Sequence, residues 1–82
     1  MHELYLAEQI IQEVIKKAHE NKAKKVLEAT IIIPQNEHFT EKEFQSILEM
    51  QAKDTPAGNA KFKVSKEATS KIYIKDIKIS KK

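Results

Sequence analysis

Cysteine is absent from this chain, and that absence narrows the folds open to it more than any other feature. It excludes disulfide staples, all-cysteine zinc sites, iron–sulfur clusters and thiol catalysis together. An 82-residue chain without such cross-links must hold itself together with an apolar core. At this length it forms one domain, residues 1–82, and buries about 60% of the surface its unfolded chain exposes, so stability is modest unless it oligomerises. Hydrophobic residues make up 40% of the chain, enough for such a core. One Gly and two Pro leave little room for loops, so most residues should lie in helices and strands.

The apolar pattern predicts five elements. Leu4, Ala7, Ile10, Ile11, Val14, Ile15 and Ala18 recur at helical spacing and predict an amphipathic helix over 3–20, with Asn21 as its left-handed stop. Leu27, Ala29, Ile31 and Ile33 alternate with Glu28, Thr30 and Ile32, predicting a strand over 25–33 that Pro34 ends. Thr40 and Glu43 form a capping box, and Phe39 and Phe44 stand where a hydrophobic staple places them, so a second helix runs from Glu41 to Ala52. After the turn at Thr55–Asn59, the residues Ala60, Phe62 and Val64 mark a one-sided strand. Residues 72–79 form the last strand with a slip of phase. Ile72 and Ile74 share one face and Ile77 and Ile79 the other, unless a bulge near Lys75 or Asp76 brings all four together. The fold class is α+β, two helices on one face of a three-stranded sheet in the order α-β-α-β-β. The short link between the last two strands predicts an antiparallel hairpin.

Charge is divided unevenly. Residues 1–60 carry 7 Lys against 10 acids, a balance of −3, and residues 61–82 carry 8 Lys against Glu67 and Asp76, a balance of +6. This basic part either meets an acidic partner or nucleic acid, or its lysines coat the wet face and edges of a sheet. The complete lack of Arg favours the second reading, because bidentate phosphate and guanine contacts prefer the planar guanidinium. Glu3 and Glu8 stand where a signal peptide needs basic and then apolar residues. Ile31-Ile32-Ile33 is far too short for a membrane span. The reading is a cytoplasmic protein without a membrane.

No arrangement supports catalysis. The serines lack a nucleophile-elbow context, Gly58 is the sole glycine and makes no phosphate loop, and the acids read as surface or helix-end groups. The chain is not read as an enzyme. His19 and His38 read as solvated residues near a helix end and in a loop. His2 differs because of its place. A bulky second residue keeps the initiator Met, so the terminal amine of Met1, the amides of His2 and Glu3 and an imidazole share one short segment. Nitrogen donors in a plane suit Ni(II) or Cu(II). Their protons must leave first, at reference values of about 6.5 for imidazole and about 7.7–8.0 for the amine, so affinity should rise with pH there. A lone His2 is by itself a weak signal.

The opening Met1-His2-Glu3-Leu4-Tyr5-Leu6-Ala7-Glu8-Gln9-Ile10-Ile11 closely resembles the start of the HypA/HybF family, the nickel-incorporation proteins of hydrogenase and, in some bacteria, urease. Ala23-Lys24-Lys25-Val26, the helix Thr40–Ala52, the turn Thr55-Pro56-Ala57-Gly58-Asn59-Ala60 and the strand Ile72–Ile79 are similar to successive parts of the same family. The resemblance implies a nickel site at the N-terminal segment, carried onto Met1 (terminal amine), His2 and Glu3 (backbone amide). It implies a nickel-handling GTPase and hydrogenase or urease maturation proteins as partners. Two features depart from the family. Its zinc domain, with two Cys-x-x-Cys pairs between the last two strands, has only Ser65 to Lys71 in its place here, and Pro34-Gln35 replaces the usual Gly-Glu exit of the first strand.

The leading expectation is a zinc-less nickel-binding accessory protein, metallochaperone-like, with nickel as its metal and no zinc. The alternative is a metal-free scaffold or regulatory module on the same fold, acting through Tyr5 or the lysine-rich sheet. Nucleic-acid binding through 61–82 ranks third, since only Phe62 and Tyr73 are interleaved there. A thin two-layer domain also leaves room for a homo-oligomer, paired through a sheet edge or an exposed helix face.

Overall fold

A computed structural model describes residues 2–82. Its elements are α1 (His2–Glu20), β1 (Lys25–Pro34), α2 (Glu41–Ala52), β2 (Lys61–Glu67) and β3 (Tyr73–Ser80). Both helices cover one face of a three-stranded sheet, the α+β order expected.

The apolar stripe of α1 is buried at Ala7, Ile10, Ile11, Val14 and Ala18, and Leu6 and Ile15 pack beside it. The helix ends at Glu20 as expected, but its left-handed stop falls one residue later than expected. Lys22, not Asn21, takes the left-handed conformation, with φ of 56°. The amide of Lys22 donates to the His19 carbonyl at 3.0 Å and that of Ala23 to the Ala18 carbonyl at 2.9 Å, the double bond of a Schellman motif. Asn21 contributes its side chain instead, Nδ2 donating to the Lys17 carbonyl at 2.8 Å.

α2 starts as its sequence specifies. The amide of Glu43 donates to Thr40 Oγ1 at 3.0 Å, and the amide of Thr40 donates to Glu43 Oε1 at 2.8 Å. Phe39 and Phe44 stack with ring centroids 5.0 Å apart. Phe44, Leu48 and Ala52 are buried against the sheet and α1.

The strand order is β2-β1-β3, so the expected hairpin does not form. β2 lies parallel to β1, with Glu28 opposite Lys61 and Pro34 opposite Glu67. β3 lies antiparallel on the other side, with Lys25 opposite Ser80 and Ile32 opposite Tyr73. Apolar content explains the choice of centre. Ile31, Ile32 and Ile33 are all buried: Ile31 and Ile33 face the helices, and Ile32, on the other face, lies between Ser65 and Tyr73 of the two flanking strands. The lysine-bearing β2 and β3 take the edges, where charge discourages further pairing. The 68–72 link need only step across one strand, about 10 Å, which five residues span easily.

Two register shifts adjust the faces. Thr30 pairs with Asp76 and Ile31 with Ile74, leaving Lys75 as the expected bulge. Ile72, Ile74, Ile77 and Ile79 accordingly all pack on the core. The second shift was not anticipated: Val26 pairs with Ile79 and Glu28 with Lys78, so Leu27 is the extra residue. Val26 is therefore buried and Leu27 is 47% exposed, the reverse of the expected alternation. Among the described residues no helix is long and apolar enough to cross a membrane.

Candidate functional site

The site forms where α1 begins. His2 is the first residue of that helix. The first amides of an α-helix have no acceptor within it, so main-chain nitrogens at this end are available to another group. Nε2 of His2 lies 3.3 Å from each carboxylate oxygen of Glu37. His2 is an open side chain, 61% exposed, whereas Glu37 is 19% exposed. The carboxylate is thus the fixed partner and the imidazole the accessible one.

Glu37 reaches His2 because the β1–α2 loop is tied down on several sides. The amide of Gln35 donates to the Glu67 carbonyl at 3.1 Å, and the amide of Glu37 donates to the Pro34 carbonyl at 3.2 Å. Lys66 Nζ donates to the Glu37 carbonyl at 3.2 Å. Two residues on, Phe39 is buried against Phe44, and its ring centroid stands 6.3 Å from that of His2. The aromatic staple therefore fixes both the start of α2 and one wall of the site.

A hydrogen bond between Nε2 and Glu37 requires the proton on Nε2. In the neutral ring the lone pair then resides on Nδ1, the ring nitrogen nearer the main chain of His2 itself. Carboxylate partners orient metal-binding imidazoles in this manner. Among the described residues no group of three or more His, Asp or Glu side chains could hold a metal ion.

Of the expected site residues, His2 and Glu3 lie together in the first turn of α1, and Met1 falls outside the described residues. His19 sits in the last turn, about 25 Å along the helix axis from His2. His38 is exposed in the same loop as Glu37. Glu37 and Lys66 were not anticipated. The run Asn36-Glu37-His38-Phe39 drew attention to its histidine, whereas the staple at Phe39 carried the usable signal: it folds residue 37 back toward the helix starts.

The basic part is largely a sheet surface. Glu28 holds Lys63 and Lys78, each at 3.5 Å, from the two neighbouring strands, and Lys75 lies 3.7 Å from Glu67. Burial raises the Glu28 carboxyl pKa. The charges and hydrogen bonds of the two lysines outweigh that effect and hold it below the ordinary glutamate value.

The architecture and the histidine at the helix start describe a small two-layer α+β domain with one open, nitrogen-rich end. A family model described as hydrogenase/urease nickel incorporation, metallochaperone, hypA matches residues 1–72, and the chain belongs to this family. Among solved structures, the solution structure of the Ni metallochaperone HypA from Helicobacter pylori is similar, with a TM-score of 0.70 and 18% sequence identity. At that identity the likeness speaks for the fold alone. The match covers 79% of this chain and 56% of that one, so this chain spans little more than half the length of its structural relative. No curated protein matches the sequence.

Proposed function

We propose that this protein is a nickel-binding accessory protein that carries the ion as cargo for the maturation of a nickel enzyme. The observation that carries the reading is the His2–Glu37 pair at the start of α1, 3.3 Å through both oxygens, in a chain of the nickel-incorporation family. The donors are Nδ1 of His2, the terminal amine of Met1 and the backbone amides of His2 and Glu3. Such a set of nitrogens suits Ni(II). An open imidazole on one segment gives modest affinity and a short residence, which suits delivery. The role is not enzymatic. The receivers are a nickel-handling GTPase and hydrogenase or urease maturation proteins in the cytoplasm. Residues 1–82 act as one domain, and a short link at 68–72 stands where the family carries its zinc domain.

The test is nickel titration of tagless protein against His2→Ala and against N-terminally acetylated protein. The expected result is a loss of binding in both altered forms; equal binding by all three would sink the proposal. Copper is the necessary competitor, since it binds such donors more tightly. A second reading, a metal-free interaction module, draws on Tyr5, which is 63% exposed beside the site on α1. It predicts no nickel binding and a partner lost on Tyr5→Ala.

A further inference from the structure

Lys66 occupies an unusual place for a lysine. Along β2 the residues alternate, and Phe62 and Val64 turn toward the helices and pack in the core. Lys66 continues that inward series. It stands opposite Ile33, itself fully buried, and is half-buried. Among the described residues it forms no ion pair within 4 Å, and its ammonium instead donates to the main-chain carbonyl of Glu37 at 3.2 Å. A half-buried ammonium requires such acceptors, and this one belongs to the residue whose carboxylate faces His2.

We propose that Lys66 is a positioning residue for the nickel site: by holding the Glu37 carbonyl from below, it aims the Glu37 carboxylate at His2 Nε2 and so leaves Nδ1 of His2 as the donor nitrogen. The inference rests on the nickel reading above for its use, but not for its geometry. Glu37 hangs from three ties: its own turn to Pro34, the Gln35–Glu67 bond and Lys66. Only the last acts directly on the Glu37 carbonyl. A bond to a charged donor is also the strongest of the three kinds. An inward lysine near the end of an edge strand can alternatively serve to prevent edge-to-edge pairing. That role demands a charge at 66 but has no consequence for His2, so the two are separable.

The experiment uses the full chain in five forms: wild type, Lys66→Met, Lys66→Arg, Glu37→Gln and the Lys66→Met/Glu37→Gln double variant. The first readout needs no metal. Ring ¹⁵N chemical shifts of His2, taken at a pH where the imidazole is neutral, report which nitrogen holds the proton. The expected result is that Lys66→Met moves these shifts toward those of Glu37→Gln, that Lys66→Arg retains the wild-type values, and that Lys66→Met adds nothing in the Glu37→Gln background. The second readout is nickel affinity, expected to fall about tenfold in Lys66→Met, as for other residues that orient metal-binding histidines. Wild-type His2 shifts in folded Lys66→Met, or equal effects of that change in both backgrounds, would overturn the proposal. If Lys66→Met does not fold, Lys66→Gln, which keeps a polar but shorter side chain, is read against the same outcomes. Because the shifts are measured without metal, failure of nickel binding in every form would defeat the nickel reading alone.

Discussion

Glu37 meets His2 across thirty-five residues of sequence, with each carboxylate oxygen 3.3 Å from Nε2. The contact joins the first residue of α1 to the loop before α2, and in the neutral ring it leaves the lone pair on Nδ1. Replacing Glu37 by Gln keeps the size and removes the charge. The amide can still accept through one oxygen, so the ring is held less firmly but not released. Nickel affinity should fall about tenfold while the thermal midpoint stays near that of the wild type, because Glu37 is a loop residue outside the core. Calorimetric titration paired with a melting curve checks both halves.

Glu28 gives the pH dependence a definite sign. Its carboxyl, raised by burial but more strongly lowered by Lys63 and Lys78, has a folded pKa below its unfolded one. Such a group contributes stability that is complete above the unfolded value, about 4.3, and is lost as pH falls through the lower folded value. The urea midpoint of the wild type should therefore drop on acidification below about pH 4.3. Glu28→Gln should lower the midpoint at pH 7 and flatten the acid limb. A limb equally steep in the variant would assign acid sensitivity to other carboxylates.

Much of this fold is legible residue by residue. The capping box at Thr40 and Glu43 places the start of α2 because both hydrogen bonds are local. The isoleucine phases of β3 reveal the bulge at Lys75 because alternation has a fixed period. Strand order is a different kind of information. The 68–72 link is short enough for a hairpin and long enough to step over one strand, so local reading cannot decide. What decides is the Ile31–Ile33 run: Ile32 faces away from the helices and is buried with a strand on each side of it, so β1 takes the centre. Leu27 escapes local reading for a similar reason: its bulge is set by the pairing of its neighbours Val26 and Glu28 with Ile79 and Lys78, across some fifty residues, and leaves no local trace.

The site divides along the same line. His2 and Glu3 stand out in the sequence because the nitrogens proposed as donors are contiguous. Glu37 and Lys66 enter only through tertiary folding, the first through the Phe39 staple and the second through the parallel pairing of β2 with β1. Both are ordinary loop or strand residues in the linear sequence, and nothing in their neighbours marks them.

Thr40→Ala tests how far the cap supports the site. Losing the Thr40 hydroxyl removes the acceptor for the Glu43 amide and costs about 1 kcal/mol, which lowers the melting temperature of a domain this size by about 4–8 °C. Phe39 lies next to the cap, and its stack on Phe44 is independent of the hydroxyl. Nickel affinity measured well below the midpoint should thus be unchanged. A parallel loss of affinity would show that the cap, and not the staple, holds the loop.

The bulge at Lys75 yields the sharpest contrast between two single-residue deletions. Removing Lys75 restores strict alternation: Ile74 and Ile77 then flank Asp76 alone, and all four isoleucines still face the core. The loss is one exposed contact to Glu67 at 3.7 Å, worth about 0–1 kcal/mol. Removing Lys78 instead leaves the bulge in place, turns the half-buried Ile79 outward and removes the Lys78 contact to Glu28; the isoleucine alone costs up to about 1.5 kcal/mol, the low end of the range for complete burial. Urea unfolding should therefore show the first deletion near the wild type and the second clearly weaker. Straightening β3 also removes the kink that makes its outer edge a poor partner. Sedimentation velocity should accordingly find self-association rising in the Lys75 deletion and not in the Lys78 deletion. A monomeric Lys75 deletion would show that the lysines of β3, not its bulge, keep that edge free.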